Sequence, residues 1–388
     1  MYSESDIEHA VASGAITPAA ASALRRSVAD GRSTSSADEE SFRLLTGFND
    51  IFVSIAALLL LAAVGWIGGT IGFGLASPSP VEGIAPQLIA GTRLGAVLIA
   101  AASWGLAEYF TRRRRMALPS ILLLLAFDGS VGAVAGGAWN LSPFAHNALS
   151  QSGLPIGPPL TGVAMAIAAY IHWRRFQVPI TIAALTGALV LTAYGVILAA
   201  LTARPACAGG PFADAASCVT LVETASLWLA LVAGVAVFAF AMWWDMSDRA
   251  RITRRSDVAF WLHLGAAPLI AHSVFALLGV TYGEPSAAKA VTVVALYLLF
   301  GAIALATDRR ALLVSSLIYV LYALSGLFAQ VGAASLNMAL TALIIGSFLL
   351  MLSAFWHGAR GMIVRRLPDA WRLRLPELDR APAPQRAP

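Results

Sequence analysis

Four ionisable side chains, Glu108, Asp128, His263 and His272, interrupt stretches that are otherwise apolar and long enough to cross a bilayer. A charge at the middle of a membrane costs about 3 kcal/mol even on the mildest scale, so such a residue is kept because a partner satisfies it or because a solute, ion or proton uses it. Depth sorts the four. At about 1.5 Å per helical residue, Asp128 lies roughly 20 Å from Arg115 and His272 roughly 22 Å from Asp257, and both segments are expected to enter from the same side. A carboxylate and an imidazole at matching depth can carry a proton or an ion, ligate a cofactor or metal, or simply be satisfied structurally. Asp128 and His272 are therefore the candidate proton or ion relay, with all three readings open.

His263 and Glu108 are secondary polar candidates. His263 is only about 9 Å in, within reach of interfacial water or headgroups. At about 100° per residue it lies on the opposite face from His272. Pro268 between them removes a helical hydrogen bond and predicts a kink. Glu108 precedes Arg112 by four residues, the spacing of an ion pair at a helix end.

The two cysteines, Cys207 and Cys218, share the segment TARPACAGGPFADAASC. A disulfide bracing this loop on an oxidising face, two free thiols, and a metal or redox site are the alternatives, although no histidine or second cysteine pair accompanies them. GxxxG spacings at Gly65/Gly69, Gly68/Gly72, Gly91/Gly95 and Gly132/Gly136 let helix backbones approach closely, within the chain or between copies. Walker loop, dinucleotide fingerprint, zinc helix and nucleophile elbow are all missing from the sequence. No catalytic residue, metal or cofactor is assigned, and ATP-driven transport by this chain alone is not expected.

The elements that position these groups follow from composition. Of 388 residues, 58% are hydrophobic and 12% charged, about half the charged content of a soluble domain. The reading is an all-α polytopic transmembrane helix bundle of about ten spans with a small N-terminal cytoplasmic helical hairpin. Spans need about 20 apolar residues, and candidates run over 51–73, 89–110, 117–138, 156–173, 178–201, 221–244, 258–280, 289–307, 311–331 and 335–357. With both termini inside, 23 of the 26 basic residues fall on the cytoplasmic side, the exceptions being Arg93, Arg204 and Lys289. That asymmetry is the positive-inside pattern, and the tryptophans at predicted span ends agree with it. The arginines sit in short clusters between apolar runs, so they are topology signals rather than a nucleic-acid surface.

Two of these clusters have a second reading. DMSDRARITRRSD, Asp245 to Asp257, and TDRR, Thr307 to Arg310, with His357, Arg360, Arg365 and Arg366, are either solvated topology charges or an ion-pair network and cytoplasmic gate beneath the seventh span.

Residues 1–36 read as the cytoplasmic helical hairpin and joint, 37–50 as an interfacial helix, 51–357 as the bundle, and 358–388 as a basic, proline-rich cytoplasmic tail. Thr17-Pro18 gives the second N-terminal helix its cap and first residue, and no cleaved signal peptide is expected. The segments SGAITPAAASALRR, DEESFRLLTGFNDIFV and FWHGARGMIVRRLP, in this order, resemble uncharacterised bacterial membrane proteins of the domain-of-unknown-function 2157 type. The resemblance implies a bacterial inner-membrane location and carries no catalytic residues with it. The functional expectation is an integral inner-membrane protein, a transporter or channel-like component with a small-molecule or ion substrate and a mid-membrane polar site. Its rival is a membrane-anchored scaffold or sensor that recruits a cytoplasmic protein partner through residues 1–36.

Overall fold

The computed structural model describes residues 4–24, 48–80, 82–140, 157–203, 207, 215–249, 251, 253–280, 286–330 and 337–378. The joint expected at 33–36, the expected interfacial helix up to residue 47 and the last ten residues of the tail lie outside them. Near the N-terminus, Glu4–Ala12 and residues 18–24 are helical, and Thr17 Oγ1 caps the second stretch by accepting from the Ala20 amide at 3.1 Å. These residues belong to a compact unit separate from residues 45–376.

Among its described residues the larger unit has ten helices of 18 residues or more. They are α1 (Phe48–Leu75), α2 (Ala85–Ala107), α3 (Ala117–Asn140), α4 (Gly157–Phe176), α5 (Ile180–Thr202), α6 (Ala215–Ser247), α7 (Arg254–Leu277), α8 (Ala287–Thr307), α9 (Ala311–Gln330) and α10 (Asn337–Ala354). A π-helical turn, Glu108–Arg113, continues α2. Two short helices, α11 (Trp356–Arg365) and α12 (Asp369–Arg372), follow α10. Seven helices, α1 to α3 and α5 to α8, are long and apolar enough to cross a membrane, and α10 with α11 makes an eighth if that pair, bent by 72°, is one span. The chain is a multi-pass, all-helical membrane protein. α4 carries Arg174 and Arg175 in its last turn, and the described apolar part of α9 is short, so these two fall below the same threshold.

Neighbours in sequence pack as neighbours in space: α1 on α2, α2 on α3, α4 on α5, α6 on α7 and α8 on α9. α7 is the most enclosed, with half of its apolar window buried against 22% for α1, because α5, α6 and α9 all pack on it. Its stripe Val258, Leu262 and Ala266, spaced four residues apart, faces Val237 and Ala241 of α6. Farther along, Phe275 enters a core with Phe300, Leu312, Val320 and Trp356. α7 runs as one helix through Pro268.

The α1–α2 contact is made of backbone. A Cβ placed on Gly68 would lie 2.8 Å from the Cα of Gly95, one on Gly72 2.5 Å from the carbonyl of Ala90, and one on Gly91 2.7 Å from the carbonyl of Gly69. The glycine spacings of α1 and α2 therefore serve a seam within the chain, as small residues do between membrane helices. Gly132 of α3 likewise receives Met165 of α4.

The turns α2–α3, α4–α5, α6–α7 and α8–α9 are short and share a device. Each holds one non-glycine residue in left-handed backbone: Arg115, Gln177, Arg251 and Asp308, at φ of 53 to 56°. This conformation costs a residue with a Cβ about 1 kcal/mol or more, yet it stops a helix abruptly and lets the next return beside it. These turns carry the arginine clusters and define an arginine-rich end. Between α5 and α6, Cys207 and Cys218 are joined by a disulfide with a Cα–Cα distance of 5.1 Å.

Candidate functional site: a buried ion cluster at the arginine-rich end

The last turn of α6 starts the site. Phe238, Ala241 and Asp245 follow one another at helical spacing, so the face that packs on α7 ends in a carboxylate. Opposite it, in the third turn of α7, is His263, whose Nε2–H donates to Asp245 Oδ2 at 3.0 Å while Phe238 meets its ring edge-on at 4.9 Å. Arg309, from the α8–α9 turn, completes the carboxylate's shell with Nη2 to Oδ1 at 2.6 Å and Nε to Oδ2 at 3.2 Å, and Nη2 also donates to the Ser256 carbonyl. Asp245 is 1% exposed, His263 2% and Arg309 5%. A bidentate arginine–carboxylate pair that is also bonded to an imidazole satisfies the anion on both oxygens.

A second set of charges adjoins the first. Arg251 Nη1 donates to Asp308 Oδ2 at 2.9 Å, and its Nη2 donates to the Thr307 carbonyl at 3.0 Å. The guanidinium therefore caps the C-terminus of α8, where unsatisfied carbonyls concentrate negative charge. Both partners of this pair are left-handed residues of their turns. Asp308 Oδ1 accepts from the indole Nε1 of Trp356 at 2.8 Å, and the buried Arg360 approaches it to 3.8 Å. Arg310 stacks its guanidinium on Trp356, 4.7 Å from the ring centre. The C-terminal residues close over the set, since Arg360 donates to the Pro376 carbonyl and Arg249 to that of Leu375. Asp248 accepts from the Thr253 amide and hydroxyl, and Thr253 caps α7 through the Arg255 amide. Helices α6, α7, α8 and α11 are thus joined by charges that lie far apart in sequence.

The sequence candidates are distributed differently from expectation. His263 does not reach interfacial water or headgroups: the last turn of α6 lies level with it and buries it. Asp128 and His272 are not brought together. Asp128 is buried in α3, where its Oδ1 has no hydrogen-bond partner among the described residues. His272 is exposed on α7 and its Nδ1 lies 2.7 Å from the hydroxyl of Tyr319 on α9, whose ring stacks on Phe275. Matching depth is one coordinate, and the two helices direct these groups at different neighbours. Glu108 pairs with Arg112 at 3.4 Å, but its tighter partner is Arg175 of α4, bidentate at 2.6 and 3.0 Å.

One buried histidine escaped the sequence reading. His172 of α4 is enclosed by the rings of Trp104, Phe127 and Phe176 at 4.6 to 6.1 Å, with Thr181 Oγ1 3.3 Å from its Nδ1. Its neighbours Arg174 and Arg175 marked that stretch as a membrane boundary and hid the imidazole among topology residues. Asp245 falls in the segment whose two readings are solvated turn charge and an ion-pair network, and its helical phase with Phe238 and Ala241 is the signal that favours the network.

Among the described residues no group of three or more His, Cys, Asp or Glu side chains is arranged to hold a metal ion. An apolar groove of about 970 Å³ opens along α1, α2 and α3 between Trp66, Leu88 and Ser130, and Asp128 is not among the residues that line it. No protein-family model, no curated protein and no solved structure matches the chain.

Proposed function

We propose that the chain is a ten-span bacterial inner-membrane protein with both termini in the cytoplasm, a transporter or channel-like component for a small solute or ion, with its cytoplasmic end closed by the Asp245–His263–Arg309 and Arg251–Asp308–Arg360 cluster. The reading includes its kinship with the domain-of-unknown-function 2157 type. Seven helices long and apolar enough to cross, with the bent α10–α11 pair as an eighth, support a multi-pass reading, and α4 and α9, 20 residues each, have the length for the remaining two.

The observation that carries the proposal is the burial of this cluster across several helices. Removing charges from water is costly, and an apolar plug of equal volume closes a helix bundle at least as well. What an ionic closure adds is a set of partners that can be exchanged when helices shift. Two of its members, Arg251 and Asp308, also hold strained left-handed backbone, and such strain is a feature of switch regions. Asp128, buried on α3 with an oxygen that has no hydrogen-bond partner among the described residues, is the group at depth that a solute or proton would use.

The test uses the disulfide. Cys207 and Cys218 are the only cysteines and are bonded to each other, so Asp128→Cys is the sole free thiol. In inside-out vesicles, D128C should react slowly with a membrane-impermeant maleimide while the cluster is intact and roughly tenfold faster when Asp245→Asn and Arg309→Gln are added, the effect of about 1.4 kcal/mol on a closed–open equilibrium. Equal rates in folded protein would remove the gate. The rival scaffold reading draws on the separate N-terminal unit; deletion of residues 1–36 would abolish its function and leave maleimide access unchanged.

A further inference from the structure

Helix α11 has two contrasting faces. Trp356, Arg360 and Val364, at four-residue spacing, are buried against the bundle. On the opposite side Phe355 at the bend and Met362 are 67% and 60% exposed, and Trp371 and Leu373 just beyond are exposed to 67% and 68%. Water is a poor surrounding for four large apolar side chains so close together. Arg365, Arg366, Arg372 and Arg374 are exposed among them, whereas residues 355–376 contain one acid, Asp369, which Arg372 meets at 3.1 Å in an exposed pair.

Three observations decide what covers this surface. The exposed stripe Ile344, Met351 and Phe355 runs down α10, a helix of the bent span pair, and Phe355 hands it on to Met362 of α11. The surface is therefore continuous with the apolar outer face of a candidate membrane span. The 72° bend swings α11 away from the direction of α10, as an element lying in the plane of the interface requires. Its composition, tryptophan and aliphatic side chains interleaved with arginine, is that of an interfacial segment attracted to anionic headgroups.

We propose that the α11–α12 segment is an anionic-phospholipid binding surface, with Met362, Trp371 and Leu373 entering the headgroup–acyl boundary and Arg365, Arg366, Arg372 and Arg374 engaging lipid phosphates of the leaflet at the arginine-rich end. This does not depend on whether the cluster beneath it is a gate.

The experiment uses the full chain carrying Met362→Cys, again the sole free thiol, labelled with a nitroxide and reconstituted into vesicles of phosphatidylcholine alone or with phosphatidylglycerol. Collisional relaxation by oxygen and by a water-soluble nickel chelate reports depth. The expected result is a label sheltered from the chelate in vesicles containing phosphatidylglycerol, and loss of most of that shelter when the four arginines are replaced by glutamine. A label open to the chelate in both vesicle types overturns the proposal and turns the surface toward a cytoplasmic protein partner. Shelter that ignores both phosphatidylglycerol and the glutamine substitutions overturns it too, because the contact is then apolar only. Leu373→Cys as a second reporter, with unchanged unfolding temperature as the criterion of folding, keeps the outcome independent of any local effect at Met362.

Discussion

The arginine-rich end contains two answers to the same problem, one in each half of the bundle. In the first half the ion pair and the buried imidazole are separate: Glu108 meets Arg175 at a partly exposed position, while His172 sits in an aromatic cage with one hydroxyl for company. In the second half they are fused, and His263, Asp245 and Arg309 form one buried unit. The exposed pair keeps most of its hydration and gives up little when broken. The fused unit has exchanged hydration for specific partners, and each partner's presence is a condition for burying the others. A fold that needed only closure could have used the first arrangement twice.

The sharpest way to break this contrast is Asp245→Ala, which strands a guanidinium and an imidazole in the interior. A loss of about 3–5 kcal/mol in unfolding free energy is expected, read by thermal or denaturant unfolding in mild detergent. Next come the histidines. His263→Phe should cost about 2 kcal/mol because it orphans one side of Asp245, whereas His172→Phe, a ring placed among rings, should cost at most about 1 kcal/mol. Equal costs would show that the fusion of histidine and ion pair carries no energetic weight.

The left-handed turn residues give a pair of opposite sign. Gln177→Gly relieves steric cost at a position without a role in the cluster and should stabilise by about 1 kcal/mol. Asp308→Gly gains the same relief but loses the bonds to Arg251 and Trp356, for a net loss of about 1 kcal/mol. The smallest effect belongs to Glu108→Gln, for which no change in unfolding temperature is expected in high salt, where exposed ion pairs are screened.

The helices were legible because membrane helices are announced by length and apolarity: the runs at 89–110 and 289–307, for example, coincide with α2 and α8 to within a few residues. Their one-dimensional signal does not need to know its neighbours. The site was legible only in part. Arg251, Asp308, Arg309 and Arg360 stood out as members of charge clusters, yet solvated charges and a buried network look alike in sequence, and Arg309 lies 64 residues from Asp245. Depth arithmetic gave His263 its distance from the helix start but not its cover, which α6 supplies from the side. It gave Asp128 and His272 the same height and left their azimuths unknown. Arg175 escaped as the partner of Glu108 because Arg112 was closer along the chain.

The glycine seam between α1 and α2 has a mechanical corollary. Where main chain touches main chain there is no layer of rotatable side chains to absorb displacement, and close-packed interiors transmit strain instead of compressing. Because a Cβ on Gly68, Gly72 or Gly91 would lie less than 3 Å from the facing main chain, α1 and α2 act as a single beam rather than two rods. Bending either one loads the other, and compliance in this half of the protein is displaced to the beam's ends, where Arg115 turns the chain into α3.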